Sequence, residues 1–206
     1  MDPSVIRNIT HYLSAPEWDP IIGKIKNTKL MDPTSPVQVM FVPSYLNGVD
    51  GIFDKDYYEL LCGMDVTVFP SYYEPWGYTP LESVAFSVPT ITTSLAGFGL
   101  WVAEHCKEHK GVEVIDRNDA NDSEVVTEIA SSIEKFCNMS AKEYASYQES
   151  ALKTSEIALW ENLYAYHAHA YDVALARMTE RSSGFKYEGG GDQNEQINFV
   201  RQQLVS

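Results

Sequence analysis

From Val37 onward the chain repeats one pattern: a short apolar or β-branched run, a loop, then a helical stretch. That rhythm restricts it to an α/β fold, a parallel sheet flanked by helices. Four runs are expected to be strands, at 37–42, 65–69, 89–94 and 112–116. Helices are expected at 54–63, 79–87, 98–110, 121–136 and 140–178, with Asp54 near the start of the first and Gly63 as its stop. The last is long enough to be two helices broken near Trp160, packing across the domain. The first 36 residues carry Pro3, Pro16, Pro20, Pro33 and Pro36 without a clean period, and read as a loose segment with room for one short helix. From Arg181 the run becomes glycine-rich and polar, so 181–206 reads as a flexible tail on a single domain of residues 1–180, whose C-terminal helices start at about 140.

Composition narrows the function classes. The chain has 206 residues, 44% hydrophobic and 21% charged, enough for one sizeable core. With 29 acidic against 15 basic residues, the net charge of -14 disfavours nucleic acid and anionic membrane surfaces, so any phosphate ligand must be held by local groups. No run approaches the ~18 apolar residues of a membrane span, and the polar start at Met1 does not resemble a signal peptide. Cys62, Cys106 and Cys137 make an odd count without close pairing, which argues against a disulfide framework or a thiolate zinc site. A cytoplasmic protein is expected.

In parallel α/β sheets, ligands bind beyond the carboxyl ends of the strands, where loops lead into helix N-termini. The loop after Phe69 lies there. Thr79 suits an N-cap, Pro80 the first helical position and Glu82 the third, while Gly77 leaves backbone N–H groups open to approach. Open amides and the positive end of a helix dipole suit a diphosphate, even in an acidic chain. Glu74 lies eight positions before Glu82. Two carboxylates so placed can accept hydrogen bonds from hydroxyls at the two ends of a nucleotide-linked sugar. Glu82 fits a capping-box glutamate equally well, and Glu74 a solvated loop acid. His105 and His109 stand four apart on an expected helix, but no further ligand accompanies them, and His167 and His169 point to different faces. Neither a metal nor another cofactor is implied.

The stretch Val68 to Glu82, containing Phe69-Pro-Ser-Tyr-Tyr-Glu74-Pro-Trp-Gly-Tyr-Thr-Pro-Leu-Glu82, together with Pro89 to Gly99, resembles the animal and fungal type of glycogen synthase. Weaker similarity extends over Thr10-His11, Asp19-Pro20-Ile21, Val37 to Leu46 and the region from Trp160 to Ala176. The resemblance implies the C-terminal half of a retaining glycosyltransferase with two Rossmann-like domains. By it, Glu74 holds the donor glucose and stabilises positive charge developing at the anomeric carbon, without acting as a nucleophile. Glu82 holds the ribose, Gly77, Tyr78 and Thr79 take the diphosphate, and Tyr57 stacks on uracil, with Tyr58 one residue away as the alternative. Trp76 and Phe98 either shape the sugar pocket or fill the core; Gly97 and Gly99 either admit the donor or serve as turn glycines.

The implied reaction transfers glucose from UDP-glucose to the non-reducing end of an α-1,4-glucan such as glycogen. A donor such as ADP-glucose, or a non-catalytic Rossmann-like binding module, are the alternatives. Two such domains exceed 206 residues, and the family's basic clamp on the diphosphate has no counterpart here. The chain is therefore expected to be part of a longer protein, inactive without the missing N-terminal domain. The arginine-rich helix that binds glucose 6-phosphate in regulated relatives falls at 131–160, where this chain has Lys135, Lys142 and Lys153 and no arginine. An unregulated, bacterial relative is expected.

Overall fold

The computed structural model describes residues 9–184, apart from 29, 31 and 33. Two short helices come first, α1 (Pro20–Lys26) and α2 (Tyr57–Leu61). Strand β1 (Thr67–Val68) leads through a loop into α3 (Tyr78–Ala85), β2 (Thr90–Thr93) into α4 (Gly97–His105), and β3 (Val112–Ile115) into α5 (Asp122–Cys137). Helices α6 (Ala141–Ile157) and α7 (Trp160–Gly184) follow. The strands form a parallel sheet in the order β1-β2-β3, with Thr67 opposite Thr90 and Thr90 to Thr93 opposite Val112 to Ile115. This is the parallel α/β arrangement that the periodicity demands, consistent with the Rossmann-like fold the resemblance implies.

Local chemistry accounts for the helix starts. Asp19 caps α1, its Oδ1 accepting from the amides of Ile21 (2.9 Å) and Ile22 (3.0 Å), with Pro20 at the first helical position. Helix α2 starts three residues later than its sequence suggests. Asp54 adopts φ 50 and its carboxylate accepts from the Gly51 amide, so Asp56 becomes the N-cap and pairs with Glu59 in a capping box.

The segment 37–42 is not a strand. Phe41 makes a single parallel bridge to Ile9, its carbonyl accepting from the Thr10 amide and hydroxyl, and Val37 and Met40 stay exposed. A ladder needs a neighbouring strand, and none among the described residues runs beside this segment, so its apolar content alone cannot make one.

Strand β2 is buried along its whole length, as the centre of a sheet covered on both faces must be. On one face Ile91 and Ile115 pack with Val125 of α5, supported by Val68, Ile129 and Phe136. On the other, Thr90 and Thr92 face α3 and α4. Thr67 Oγ1 donates to Thr90 Oγ1 (3.0 Å) and contacts Ser83 Oγ (2.6 Å), whose hydroxyl also reaches the Val88 carbonyl. A Cβ on Gly111 would collide with the backbone of Ala151, so α6 lies directly against the start of β3. Residues 1–157 and 158–206 separate into two units. The expected break near Trp160 falls at residues 158–159, and α7 continues to Gly184, past the expected start of the tail at Arg181. The rest of that tail lies outside the described residues. Among the described residues, no helix is long and apolar enough to cross a membrane.

Candidate functional site

The loop from β1 to α3 is tied at Pro70, Ser71, Glu74 and Trp76 to the ends of the sheet and the head of α4. The Pro70 carbonyl accepts from Arg117 Nη1 (2.8 Å) and the Ser71 carbonyl from Thr93 Oγ1 (2.7 Å). Glu74 bridges Ala96: its amide donates to the Leu95 carbonyl (3.2 Å), and its carbonyl accepts from the Gly97 amide (3.0 Å). The Trp76 carbonyl accepts from the Phe98 amide. The first amides of α4 are thus spent on this loop. A Cβ at Gly97 would strike the Pro75 carbonyl, and one at Gly99 the Thr93 carbonyl, so both glycines serve close backbone packing.

At the end of the loop, Gly77 takes φ 106 and is itself the N-cap of α3. This corrects the expected start: Thr79 is the second helical residue, Pro80 the third and Glu82 the fifth. The glycine turns the chain into the helix in a conformation a β-carbon disfavours, and it brings no side chain to cap the first amides. Among the described residues, none accepts a hydrogen bond from the Gly77, Tyr78 or Thr79 amide, and these donors sit at the positive end of α3.

The two glutamates have different surroundings. Glu82 is too far into α3 to complete a capping box; its Oε1 instead accepts from the Tyr58 hydroxyl at 2.9 Å. That bond and the glutamate's charge push the Tyr58 phenol above its usual range. Burial, with Glu82 nearby, does the same to Tyr57. Tyr57 is half-buried and meets Tyr58 edge-on, while Tyr58 stacks on Phe86 at 5.3 Å. The structure therefore brings Tyr57, Tyr58 and Glu82 together across α2 and α3. The Glu74 carboxylate, half-buried, receives no hydrogen bond from any described residue. Trp76 is half-buried in an aromatic group with Phe98 (5.9 Å) and Trp101 (5.8 Å), and Phe98 is fully buried and belongs to the core.

His105 ends α4 and contacts the Trp101 carbonyl, whereas His109 lies beyond the helix and contacts the Val112 carbonyl. They share no helix face. Among the described residues, no cluster of histidine, cysteine and carboxylate side chains could hold a metal ion.

Sequence reasoning missed Arg117. It follows β3, is 6% exposed, and its guanidinium lies 3.3 Å from the centre of the Tyr72 ring. Nη2 meets Asp122 Oδ1 at 2.8 Å, and the Tyr72 hydroxyl donates to the same carboxylate. The Tyr72 bond first, and the Arg117 bond after it, hold the Asp122 carboxyl below its ordinary range. One signal was available: Arg117 is the one arginine between residues 8 and 176, and it sits at the carboxyl end of a strand.

A three-stranded parallel sheet flanked by helices defines a Rossmann-like α/β domain, and among the described residues the Glu74 carboxylate and the first amides of α3 are left without partners beyond its carboxyl edge. A family model described as glycogen synthase matches residues 3–203, and the chain belongs to that family. It is 36% identical over 163 residues to the glycogen [starch] synthase of Caenorhabditis elegans, covering 78% of this chain and 24% of that protein. Over 175 residues it is 32% identical to isoform 1 from Saccharomyces cerevisiae, covering 82% of this chain and 25% of the relative. The human liver protein is 31% identical over 171 residues, with 82% and 24% covered. The chain thus spans about a quarter of the length of these relatives.

Proposed function

We propose that this chain forms the donor-binding part of a glycogen synthase that transfers glucose from UDP-glucose to the non-reducing end of an α-1,4-glucan, with retention of configuration. Glu74 is the catalytic residue. Its backbone is bonded on both sides while its carboxylate is left unpaired, and this contrast carries the assignment. As the glucose–phosphate bond breaks, the anomeric carbon gains positive charge and the leaving diphosphate negative charge. Glu74 faces the first; the Gly77, Tyr78 and Thr79 amides at the head of α3 face the second, already oriented before the charge develops. Glu82 holds the ribose with the oxygen Tyr58 leaves open, Tyr57 stacks on the base, and Trp76 walls the sugar side. A further domain supplies the basic groups for the diphosphate and the seat for the glucan, and the protein works in the cytoplasm.

The test uses the complete protein. Glu74→Gln should lower kcat on the order of 100-fold with nucleotide affinity nearly unchanged, because the charge it removes acts on the transition state. Glu82→Ala should raise KM for the donor. UDP should bind more tightly than ADP in a direct titration. Full activity in the Glu74→Gln protein would show that the domain is a binding module rather than the catalytic half.

A further inference from the structure

We infer that Arg117 is a positioning residue for Glu74, holding the loop at 70–76 in the conformation that aims the carboxylate; the inference rests on the donor-site reading above.

Three groups converge on one guanidinium. Nη1 bonds the Pro70 carbonyl, where the loop leaves β1; Nη2 bonds Asp122 in the first turn of α5; and the plane covers the Tyr72 ring. Asp122 then returns to the loop, since both of its oxygens lie within 3.0 Å of the Tyr72 hydroxyl. Tyr72 is thereby fixed on its face and at its tip, two residues before Glu74. Arg117 is anchored in turn. Its amide donates to Ser94 Oγ (2.9 Å), and that hydroxyl contacts Asp116 Oδ1 (3.1 Å). The ends of β2 and β3, the head of α5 and the donor loop are joined through this one residue, by its amide and its side chain.

Burying an arginine to 6% exposure against an aspartate whose side chain is 64% exposed is poorly explained as stabilisation. Desolvation of the guanidinium opposes whatever a single, partly solvated ion pair contributes. Fixing a loop is a better account, because a planar fork can bond in two directions while stacking on a ring, and a lysine cannot. A catalytic carboxylate needs that constraint: a misplacement of about 1 Å can cost roughly 100-fold in rate.

Arg117→Lys in the complete protein keeps the charge and loses the fork and the stack. Two readouts decide the matter. Amide hydrogen exchange should accelerate by about tenfold or more at Glu74, Gly97 and Phe98, whose bonds tie the loop to α4, while the Thr90 amide, bonded to Gly111 within the sheet, stays protected. Transfer of glucose should fall about 10-fold to 100-fold in kcat, with KM for the donor within about twofold of wild type. Tyr72→Phe, which removes only the bond to Asp122, should show the same pattern at smaller amplitude. Unchanged exchange at the three loop-tying amides overturns the inference, and so does faster exchange with unchanged kcat. Loss of protection at Thr90 as well would mean a general structural role and would also overturn it. If the wild-type protein transfers no glucose at all, the donor-site reading fails, and the exchange pattern alone decides whether Arg117 holds the loop.

Discussion

Glu74 and Glu82 are the same side chain eight positions apart, and only their neighbours distinguish them. Glu82 is engaged by Tyr58 and Glu74 by nothing described, so a change at Tyr58 should act on one alone. Tyr58→Phe should free Glu82 and weaken nucleotide binding about threefold to tenfold, less than the ~1.5–3 kcal/mol of a whole hydrogen bond to a charged group because Glu82 keeps its charge, with kcat little changed. Isothermal titration with UDP against steady-state rates measures both. A second residue-scale expectation concerns Asp122, whose folded-state carboxyl is depressed by Tyr72 and Arg117. A depressed carboxyl contributes stability above its unfolded value and loses it as pH falls through the folded one, so the loop anchor persists at neutral pH and fails only in acid. Tyr72→Phe should move the Asp122 midpoint up toward the ordinary aspartate value, read by NMR titration of the carboxyl carbon. The run from Phe69 to Glu82 was legible as a loop after a strand, and its two glutamates stood out there through the family resemblance; the ties at Tyr58, Tyr72 and Arg117 were not legible, since each joins residues 24 to 50 positions apart.

At the scale of elements, the approach of loop to helix depends on missing β-carbons. Gly97→Ala places a methyl group against the Pro75 carbonyl, a backbone atom that cannot rotate away, and pushes the Glu74 loop off α4. It should destabilise the domain by about 1–3 kcal/mol, measured by denaturant unfolding, and reduce transfer more than that loss alone predicts. Gly111→Ala collides with Ala151 of α6 at the far edge of the sheet and should cost a similar ~1–3 kcal/mol without a specific effect on kcat. Comparing the two variants separates folding from loop placement. Local sequence located all three strands of the sheet to within two residues, because buried β-branched runs between helical stretches have few alternatives. It failed where a strand-like run lacked a neighbour, at 37–42, and where a glycine capped α3 in place of Thr79.

For the whole molecule, the net charge of -14 leaves phosphate recognition to a few local donors, and α5 and α6 supply little positive charge. Neither helix contains arginine. Lys135 is already paired with Glu113 at 2.8 Å and Lys153 with Glu149 at 2.7 Å. Glucose 6-phosphate should therefore leave the activity of the complete protein unchanged within about twofold, in assays with and without the effector, since no bidentate phosphate donor is present on these helices. The sequence by itself determined the fold class, the family and the loop bearing the two glutamates, because strand–helix rhythm and a long motif are local properties of the chain. Only the tertiary structure decided that Gly77 heads α3, that Tyr58 occupies Glu82 and that Arg117 grips the loop from β3. The first rests on a left-handed backbone that a glycine permits but does not require, and the other two join segments distant in the chain, which no periodicity records.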